Sequence, residues 1–331
     1  MAAAADAAPF PSWVMLERFV FRRDDEGSFL DETKAPIRAS GTTSWNAPFS
    51  IAFRLAEPPL PSRLYTQLSR FPDPRRHIPL AIMATHRHLM LLCIATDIPG
   101  LGLVQDFLVY STYDPSSLRA LPPCTEPYTD YYTRTGDILP RGPPLEAGKQ
   151  RLLMVSAMGI LCRGEGEGEH EFAVAELRVF KPIDSEVVYA DMCLVRSSTT
   201  SAGQVLGGEW NCMCLQILGA DGGNDPCHLC CWDTDAVVPF NGSLCWIDYR
   251  RGILICDVFG DPVPTVSFLA FPLNDFPSAH TYKQIKPSSW LYRGVSAIND
   301  GRVLKYVNLT RHDGIGYGEL RAGSGFTITC H

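Results

Sequence analysis

The sequence predicts an all-β fold made of antiparallel β-meander units in a propeller-like arrangement. Its 27 glycines and 26 prolines are spread along the chain, which suits many short strands and turns better than long helices. Hydrophobic residues make up 46% of the 331 residues, enough to bury a sizeable core. In addition, residues 242–257 read as a hairpin whose strands are apolar on both faces, which indicates that both faces are covered.

This hairpin defines the first predicted unit. Leu244, Trp246 and Asp248 share one face of its first strand, and residues 253–259 form the return strand. The connection at 250–252 ends in a glycine, where we expect a positive φ.

A third strand at 265–271, which ends at Pro272, completes a three-stranded meander. The same order of two long strands, a turn and a short strand recurs at 88–122, and further copies are predicted at 151–180 and 290–308. The copies lie farther apart than the ~40–50 residues of typical propeller blades. Insertions between strands would account for the difference, so the repeat favours a propeller-like fold.

We expect residues 1–12 to form a disordered tail and residues 13–331 to form a single propeller-like domain. The tail has no basic segment followed by an apolar one, so it does not resemble a secretory signal. We therefore expect an intracellular protein of the cytoplasm or nucleus. The chain stops within a predicted strand at 325–331, which makes the last unit of this prediction incomplete.

The charge balance argues against nucleic-acid and membrane partners. A net charge of −7 and a pI near 5.6 do not suit a surface for phosphates, and the basic stretch at 70–77 is short and broken by prolines. The most apolar window, residues 80–98, carries His-Arg-His at 86–88 in its centre, so a strand explains it better than a membrane span.

Among the 12 cysteines, one cluster has the spacing of a metal site. Cys212, Cys214, Cys227 and Cys230 could offer four thiolates to a tetrahedral zinc ion. However, the first pair lies within a predicted strand at 213–218, which disfavours a zinc knuckle. We expect buried, reduced thiols for most of the cysteines and no cofactor.

No pattern typical of an enzyme stands out. Asp248 and Asp257 could form a carboxylate pair, but strand geometry favours hydrogen bonds to the backbone and the turns. The triplet at 86–88 is expected to be a turn before a strand. The glycine clusters at 164–168 and 314–318 lack the strand–loop–helix setting of a nucleotide site and are expected to be loops. We therefore expect no catalytic residues.

Several segments resemble the plant family called domain of unknown function 1618, and grass members in particular. The resemblance rests on residues 242–249, 251–257 and 268–272, with further similarity at 11–18 and 295–307. Its specific part spans about 240 to 310. The residues that carry this structural signature are Gly242, Trp246, Asp248, Gly252, Asp257 and Pro272.

The resemblance implies similarity to the propeller-like domains that follow F-boxes, and it implies no known reaction. The expected function is a non-enzymatic protein-interaction scaffold whose loops bind an unknown protein partner. One alternative is a zinc-binding protein or enzyme that uses the cluster between Cys212 and Cys231. A second alternative is a substrate receptor of a ubiquitin ligase, although no F-box helices are recognisable at the N-terminus.

Overall fold

A computed structural model shows two compact units. One unit comprises residues 1–82 and 92–120, and the other comprises residues 83–91 and 121–331. The structure describes residues 14–17, 19–25, 27–71, 79–112, 118–132, 138–164, 171–182, 187–199, 205–219, 227–272, 292–299, 301–312 and 322–331.

Nearly all the regular secondary structure of the described residues is β-strand, which confirms the all-β prediction. The two other elements among them are a 3-10 turn (Val155–Ala157) and the one-turn helix α1 (Cys227–Cys230). The strands are β1 (Met15–Leu16), β2 (Phe21–Arg22), β3 (Ile37–Thr42), β4 (Pro48–Arg54), β5 (Pro61–Gln67), β6 (Leu80–His86), β7 (Leu89–Ile98), β8 (Gly102–Ser111), β9 (Leu118–Ala120), β10 (Thr129–Tyr132), β11 (Ile138–Arg141), β12 (Met158–Arg163), β13 (Glu171–Phe180), β14 (Tyr189–Thr199), β15 (Val205–Gly207), β16 (Asn211–Leu218), β17 (Ala236–Phe240), β18 (Ser243–Asp248), β19 (Gly252–Cys256), β20 (Val266–Ala270), β21 (Arg293–Ile298), β22 (Val303–Arg311) and β23 (Phe326–Cys330).

The first unit contains a small mixed sheet. β3, β4 and β5 form an antiparallel meander, and β1 and β2 pair with β5 in parallel. A second sheet has the order β6-β7-β8-β9 and contains the meander predicted at 88–122, which is confirmed. Gly100 and Gly102 flank the β7–β8 turn with φ of 84° and 82°, a conformation that glycine adopts without steric cost.

The second unit is built on one large sheet with the order β12-β13-β14-β16-β20-β19-β18-β17. Neighbours are antiparallel except β16 and β20, which are parallel. The end strands β12 and β17 contact each other, so the sheet nearly closes into a barrel. The predicted units at 151–180 and 244–272 thus belong to one sheet, and the propeller arrangement stays a prediction.

The centre of this nearly closed sheet is Trp246, the largest fully buried side chain of the described residues. Its indole Nε1 donates a hydrogen bond of 2.7 Å to the carbonyl oxygen of Ala157, just before β12. The bond joins β18, near one end of the sheet order, to the residue that precedes β12, the strand at the other end. Apolar side chains from the other strands, including Leu177, Met192 and Leu254, belong to the same core cluster.

Two glycines allow the strands of this core to approach closely. A Cβ at Gly159 on β12 would lie 2.6 Å from Cγ1 of Val237 and 3.1 Å from Cδ1 of Leu244. A Cβ at Gly252 on β19 would overlap the carbonyl oxygen of Leu269 and lie 3.0 Å from Cα of Ala270.

The reason expected for the glycine at position 252 is therefore wrong. Gly252 is not among the glycines with positive φ; it is the first residue of β19 and pairs with Asp248. The hairpin connection is Tyr249-Arg250-Arg251, one residue earlier than expected. Glycine is needed at this position because the backbone of β20 leaves no room for a Cβ atom.

A separate antiparallel sheet in the second unit has the order β21-β22-β23. Tyr306 on β22 stacks on Phe271 with ring centroids 4.2 Å apart, in a cluster that also contains Ile247 and Tyr249. The strand expected at the C-terminal end is confirmed as β23. In the part of the chain that the structure describes, no helix has the length and apolar character needed to cross a membrane.

We predict that replacing Gly252 with alanine lowers the free energy of unfolding by roughly 1–3 kcal/mol, because the added methyl group forces the β19 and β20 backbones apart. Gly159→Ala should act in the same direction through Val237. Gly294→Ala on β21 is the matched control, since a Cβ there meets nothing within 4 Å. Urea unfolding of the three variants measures the effect; equal stability of Gly252→Ala and Gly294→Ala would contradict the steric argument.

Candidate functional site

A surface cleft of about 620 Å³ lies in the second unit. This volume falls within the usual range of ligand pockets. The cleft is formed where the end of β12, the β17–β18 turn and the loop after β19 meet. Its lining residues are Arg87, Leu161, Cys162, Arg163, Gly164, Asn241, Gly242, Ser243, Asp257, Phe259, Gly260 and Asp261.

The loop at 257–261 forms one wall of the cleft, and its backbone is held in place. Arg196 on β14 donates hydrogen bonds to the carbonyl oxygens of Val258 (2.8 Å) and Gly260 (3.0 Å). The Asp257 carboxylate accepts a hydrogen bond of 3.0 Å from the backbone N–H of Phe259. This wall is therefore preorganised, since a buried strand supplies the arginine that fixes it.

Two arginines also line the cleft. Arg87 lies in the β6–β7 turn with φ of 53°, and its Nη1 donates a hydrogen bond of 2.5 Å to the carbonyl oxygen of Gly164. The guanidinium of Arg163 lies over the Phe259 ring, 5.4 Å from its centroid, which is cation–π distance.

The tip of the β17–β18 hairpin completes the cleft. Asn241 and Gly242 both have positive φ, 45° and 76°, as a two-residue hairpin turn with right-handed twist requires. With Asp257 and Asp261, the cleft combines two cationic and two anionic side chains, all exposed, with an aromatic ring. Such a lining suits a ligand that carries both charges.

Cys162 and His86 are the residues near the cleft with the most reactive side-chain chemistry, and both serve the structure. The Nδ1 atom of His86 accepts a hydrogen bond of 2.8 Å from the backbone N–H of Cys162. Burial, helped by the charges of Arg87 and His88, lowers the pKa of His86 to about 4, so its ring is neutral at pH 7. Burial also raises the pKa of the Cys162 thiol, which makes it a weak nucleophile.

A second constellation lies on the face of β13, β14 and β16 that points away from the Trp246 core. Residues directly opposite on neighbouring strands share a face. Glu176 pairs with Cys193, Cys193 pairs with Cys212, and Asp191 pairs with Cys214. One sheet thus carries an apolar face and a face of acids and sulfurs.

Arg151 lies over the acidic part of this face and is 1% exposed. Its Nη2 is 2.5 Å from Oδ2 of Asp191 and 4.0 Å from Oε2 of Glu176. Its Nη1 donates a hydrogen bond of 3.0 Å to the carbonyl oxygen of Pro127, and the guanidinium lies 5.3 Å from the centroid of the Tyr128 ring. Arg151 and Asp191 form a closely paired buried ion pair, with Glu176 beside it.

Glu176 is fully buried and only partly satisfied. Its Oε1 accepts a hydrogen bond of 2.6 Å from the backbone N–H of Met154, while its Oε2 has no hydrogen-bond partner among the described residues. Burial raises the pKa of this carboxyl to about 7, against the smaller lowering effects of the Met154 hydrogen bond and Arg151. Burial dominates because the charge of Arg151 is already matched by Asp191.

Three cysteines lie next to these acids. Cys193 and Cys212 form a disulfide between β14 and β16, with Cα atoms 4.2 Å apart. The Sγ atom of Cys124 lies 3.9 Å from that of Cys212. Burial raises the pKa of the Cys124 thiol to about 11. Among the described residues, these three form the group of metal-ligating side chains whose ligand atoms lie within 4.8 Å of one another.

The cysteines expected from their spacing are placed differently. Cys212 is bonded to Cys193, a partner that the sequence did not indicate, while Cys214 and Cys230 are exposed. Cys227 is the first residue of α1, and the three-cysteine group of the described residues contains only Cys212 of the predicted set. The expectation of buried, reduced thiols is confirmed at Cys93, Cys124 and Cys162. It is wrong at Cys193, which is buried but bonded to Cys212.

The two aspartates of the hairpin differ in setting. Asp248 is buried; it accepts hydrogen bonds from the backbone N–H groups of Asp233 (3.1 Å) and Arg250 (2.9 Å) and pairs with Arg251 at 2.5 Å. Asp257 follows the end of β19 and lies in the cleft wall.

Two further residues of the predicted structural signature, Gly242 and Pro272, are exposed. Gly242 lines the cleft, and Pro272 is exposed after β20. Residues 1–12, the glycine cluster at 314–318, and most of the stretches at 164–168 and 70–77 lie outside the described residues.

Sequence reasoning missed Arg151, Glu176 and Asp191. A signal for Glu176 exists, since it is a single acid in the apolar strand segment at 172–177. Asp191 has the same character within 188–195. Charged residues in such strands are rarely buried without a partner, so each predicts a buried cation nearby.

Part of the chain matches a known family. A family model described as a protein of unknown function (DUF1618) matches residues 246–331. The matched segment begins at Trp246 and includes the cleft wall at 257–261. This finding supports the resemblance noted from the sequence, within the matched residues. Comparison with curated proteins gave no match.

We predict that Glu176→Gln removes a pH dependence of stability. Because burial raises this pKa from 4.5 to about 7, the folded protein binds more protons than the unfolded chain in that window, and its stability falls as the pH rises through it. At about 1.4 kcal/mol per pKa unit, the variant should exceed the wild type by roughly 3 kcal/mol above pH 7 and match it near pH 4.

Urea unfolding between pH 4 and pH 8 measures this difference. Glu171→Gln is the matched control, since Glu171 is exposed at the start of the same strand and should leave the wild-type pH profile unchanged. If the free energy of unfolding changed equally with pH in the wild type and in Glu176→Gln, Glu176 would be ionised in the folded protein at no cost in stability, which would contradict the prediction.

Proposed function

We propose that this protein is a non-enzymatic interaction module, and that the cleft binds an extended segment of a protein partner. The observation that carries the proposal is the charge of the cleft lining, which combines the exposed Arg87 and Arg163 with the exposed Asp257 and Asp261. A peptide with an acidic and a basic side chain on one edge would pair with both kinds of charge.

The rigidity of the cleft supports binding. Arg196 fixes the wall at 257–261, and the positive φ angles of Asn241 and Gly242 fix the hairpin tip. A preorganised site loses little conformational entropy when a ligand binds. The exposed arginines and aspartates can contact a partner without a rearrangement of the core.

The state of the reactive side chains near the cleft also favours binding over chemistry. The neutral imidazole of His86 already accepts a backbone hydrogen bond, and burial keeps Cys162 protonated at neutral pH. A cysteine nucleophile requires a thiolate, and a general base near neutral pH requires a pKa close to 7 and a free lone pair on the imidazole.

The resemblance to the plant domain of unknown function 1618 family refines the proposal. The family match includes the cleft wall, so we propose that other members use the same wall for their partners. In this proposal the protein is intracellular, and its binding role corresponds to that of the propeller-like domains that follow F-boxes.

We predict that peptides selected on the purified protein from a random display library carry one acidic and one basic residue, and that Arg163→Glu weakens their binding by at least about 10-fold. Asp261→Lys should weaken the same peptides, and a peptide with its two charges exchanged should lose binding to the wild type. Fluorescence anisotropy at two salt concentrations measures these affinities.

Arg302→Glu is the matched control, because Arg302 is exposed in the turn before β22 and does not line the cleft. It makes the same change in net charge. Equal binding of the selected peptides to Arg163→Glu and Arg302→Glu would place the interaction elsewhere and overturn the proposal.

A further inference from the structure

The sulfur atoms of Cys124, Cys193 and Cys212 converge on one point beside the large sheet of the second unit. Cys193 and Cys212 face each other across β14 and β16, and Cys124 approaches from the segment that covers this face. The covering segment is anchored at Pro122 and at Cys124 itself: Trp210 Nε1 donates to the Pro122 carbonyl, and Arg151 N donates to the Cys124 carbonyl, each at 2.7 Å. The position of the third sulfur is therefore set by the fold.

The spacing of the sulfurs is that of a metal site. Metal–thiolate bonds of about 2.3 Å place the sulfurs of a trigonal site about 4 Å apart. Cys124 and Cys212 already lie 3.9 Å apart, and all three sulfurs lie within 4.8 Å of one another. Once the Cys193–Cys212 disulfide is reduced, van der Waals repulsion separates its sulfurs to a comparable distance.

We propose that the reduced protein binds one monovalent copper ion through the thiolates of Cys124, Cys193 and Cys212. Thiolates are soft ligands that select soft cations such as Cu(I). Structural zinc sites require four ligands, and no carboxylate or imidazole of the described residues joins this group. A three-sulfur set therefore fits copper better than zinc.

The surroundings of the site suit a poorly hydrated ion. Cys124 and Cys193 are 3% and 0% exposed, so two of the ligands are shielded from water. Cys212 is half-buried and provides the route of entry.

The disulfide makes the site dependent on redox state. A dithiol reductant delivers two electrons and two protons to the Cys193–Cys212 bond and becomes a disulfide itself, which leaves two thiols. Copper binding then displaces the three thiol protons to solvent. In the oxidised form two of the three sulfurs are bonded to each other, so the metal site does not exist.

The test uses the full chain, reduced with a dithiol, desalted without oxygen and titrated with Cu(I) against a chromophoric copper chelator. We expect one tightly bound copper per chain and three sulfur ligands by X-ray absorption spectroscopy. Cys124→Ser should weaken this binding by at least about 100-fold. Cys214→Ser is the matched control, since Cys214 is exposed two residues from Cys212 and should leave the affinity unchanged.

The oxidised wild type gives a second comparison that needs no substitution. Wild-type protein whose Cys193–Cys212 disulfide is verified by mass spectrometry should not bind copper tightly. If Cys124→Ser does not show the circular dichroism spectrum of the wild type, the comparison of oxidised with reduced wild type takes its place as the test. Tight copper in the oxidised protein, two sulfur ligands, tighter binding of zinc, or equal losses in Cys124→Ser and Cys214→Ser would each overturn the proposal.

Discussion

The near-closure of the large sheet in the second unit is the constraint on which the rest of that unit depends. The strands at its two ends meet because Gly159 leaves space for Val237 and because Trp246 donates its indole hydrogen bond to Ala157. A fully buried tryptophan contributes several kcal/mol through burial, and its N–H requires a partner. The hydrogen bond therefore holds β18 against the residue that precedes β12, and it helps to keep the two ends of the sheet together.

A nearly closed sheet has two faces with different roles. The face around Trp246 is apolar, and the opposite face of β13, β14 and β16 carries Glu176, Asp191 and the cysteines. Because strand residues alternate between faces, one strand such as β14 supplies Met192 to the core and Asp191 to the polar cluster. The cleft lies at a third location, where the ends of β12 and β19 meet the β17–β18 turn, so its charged side chains stay exposed.

Much of the strand pattern was predictable, because local hydrophobicity and turn residues determine it. The meander of β18, β19 and β20 appears close to its expected bounds, as do the β7–β8 hairpin and the C-terminal strand. Errors arose where a distant segment sets the requirement. Gly252 was interpreted through its local turn, whereas the backbone of β20 requires it. The units at 151–180 and 244–272 read as separate repeats, since nothing local indicates that β16 pairs with β20 in the same sheet.

The sequence by itself determined the all-β class, the strands on either side of Trp246, the burial of most cysteines and the resemblance that the family match supports at residues 246–331. Only the tertiary structure decided which groups meet. Cys193 and Cys212 become neighbours through the register of β14 with β16, and Cys124 joins them through a covering segment 88 residues away from Cys212 in sequence. Spacing along the chain reports contacts within a turn or a hairpin, whereas a site assembled from distant strands depends on sheet order and register, which are properties of the whole fold.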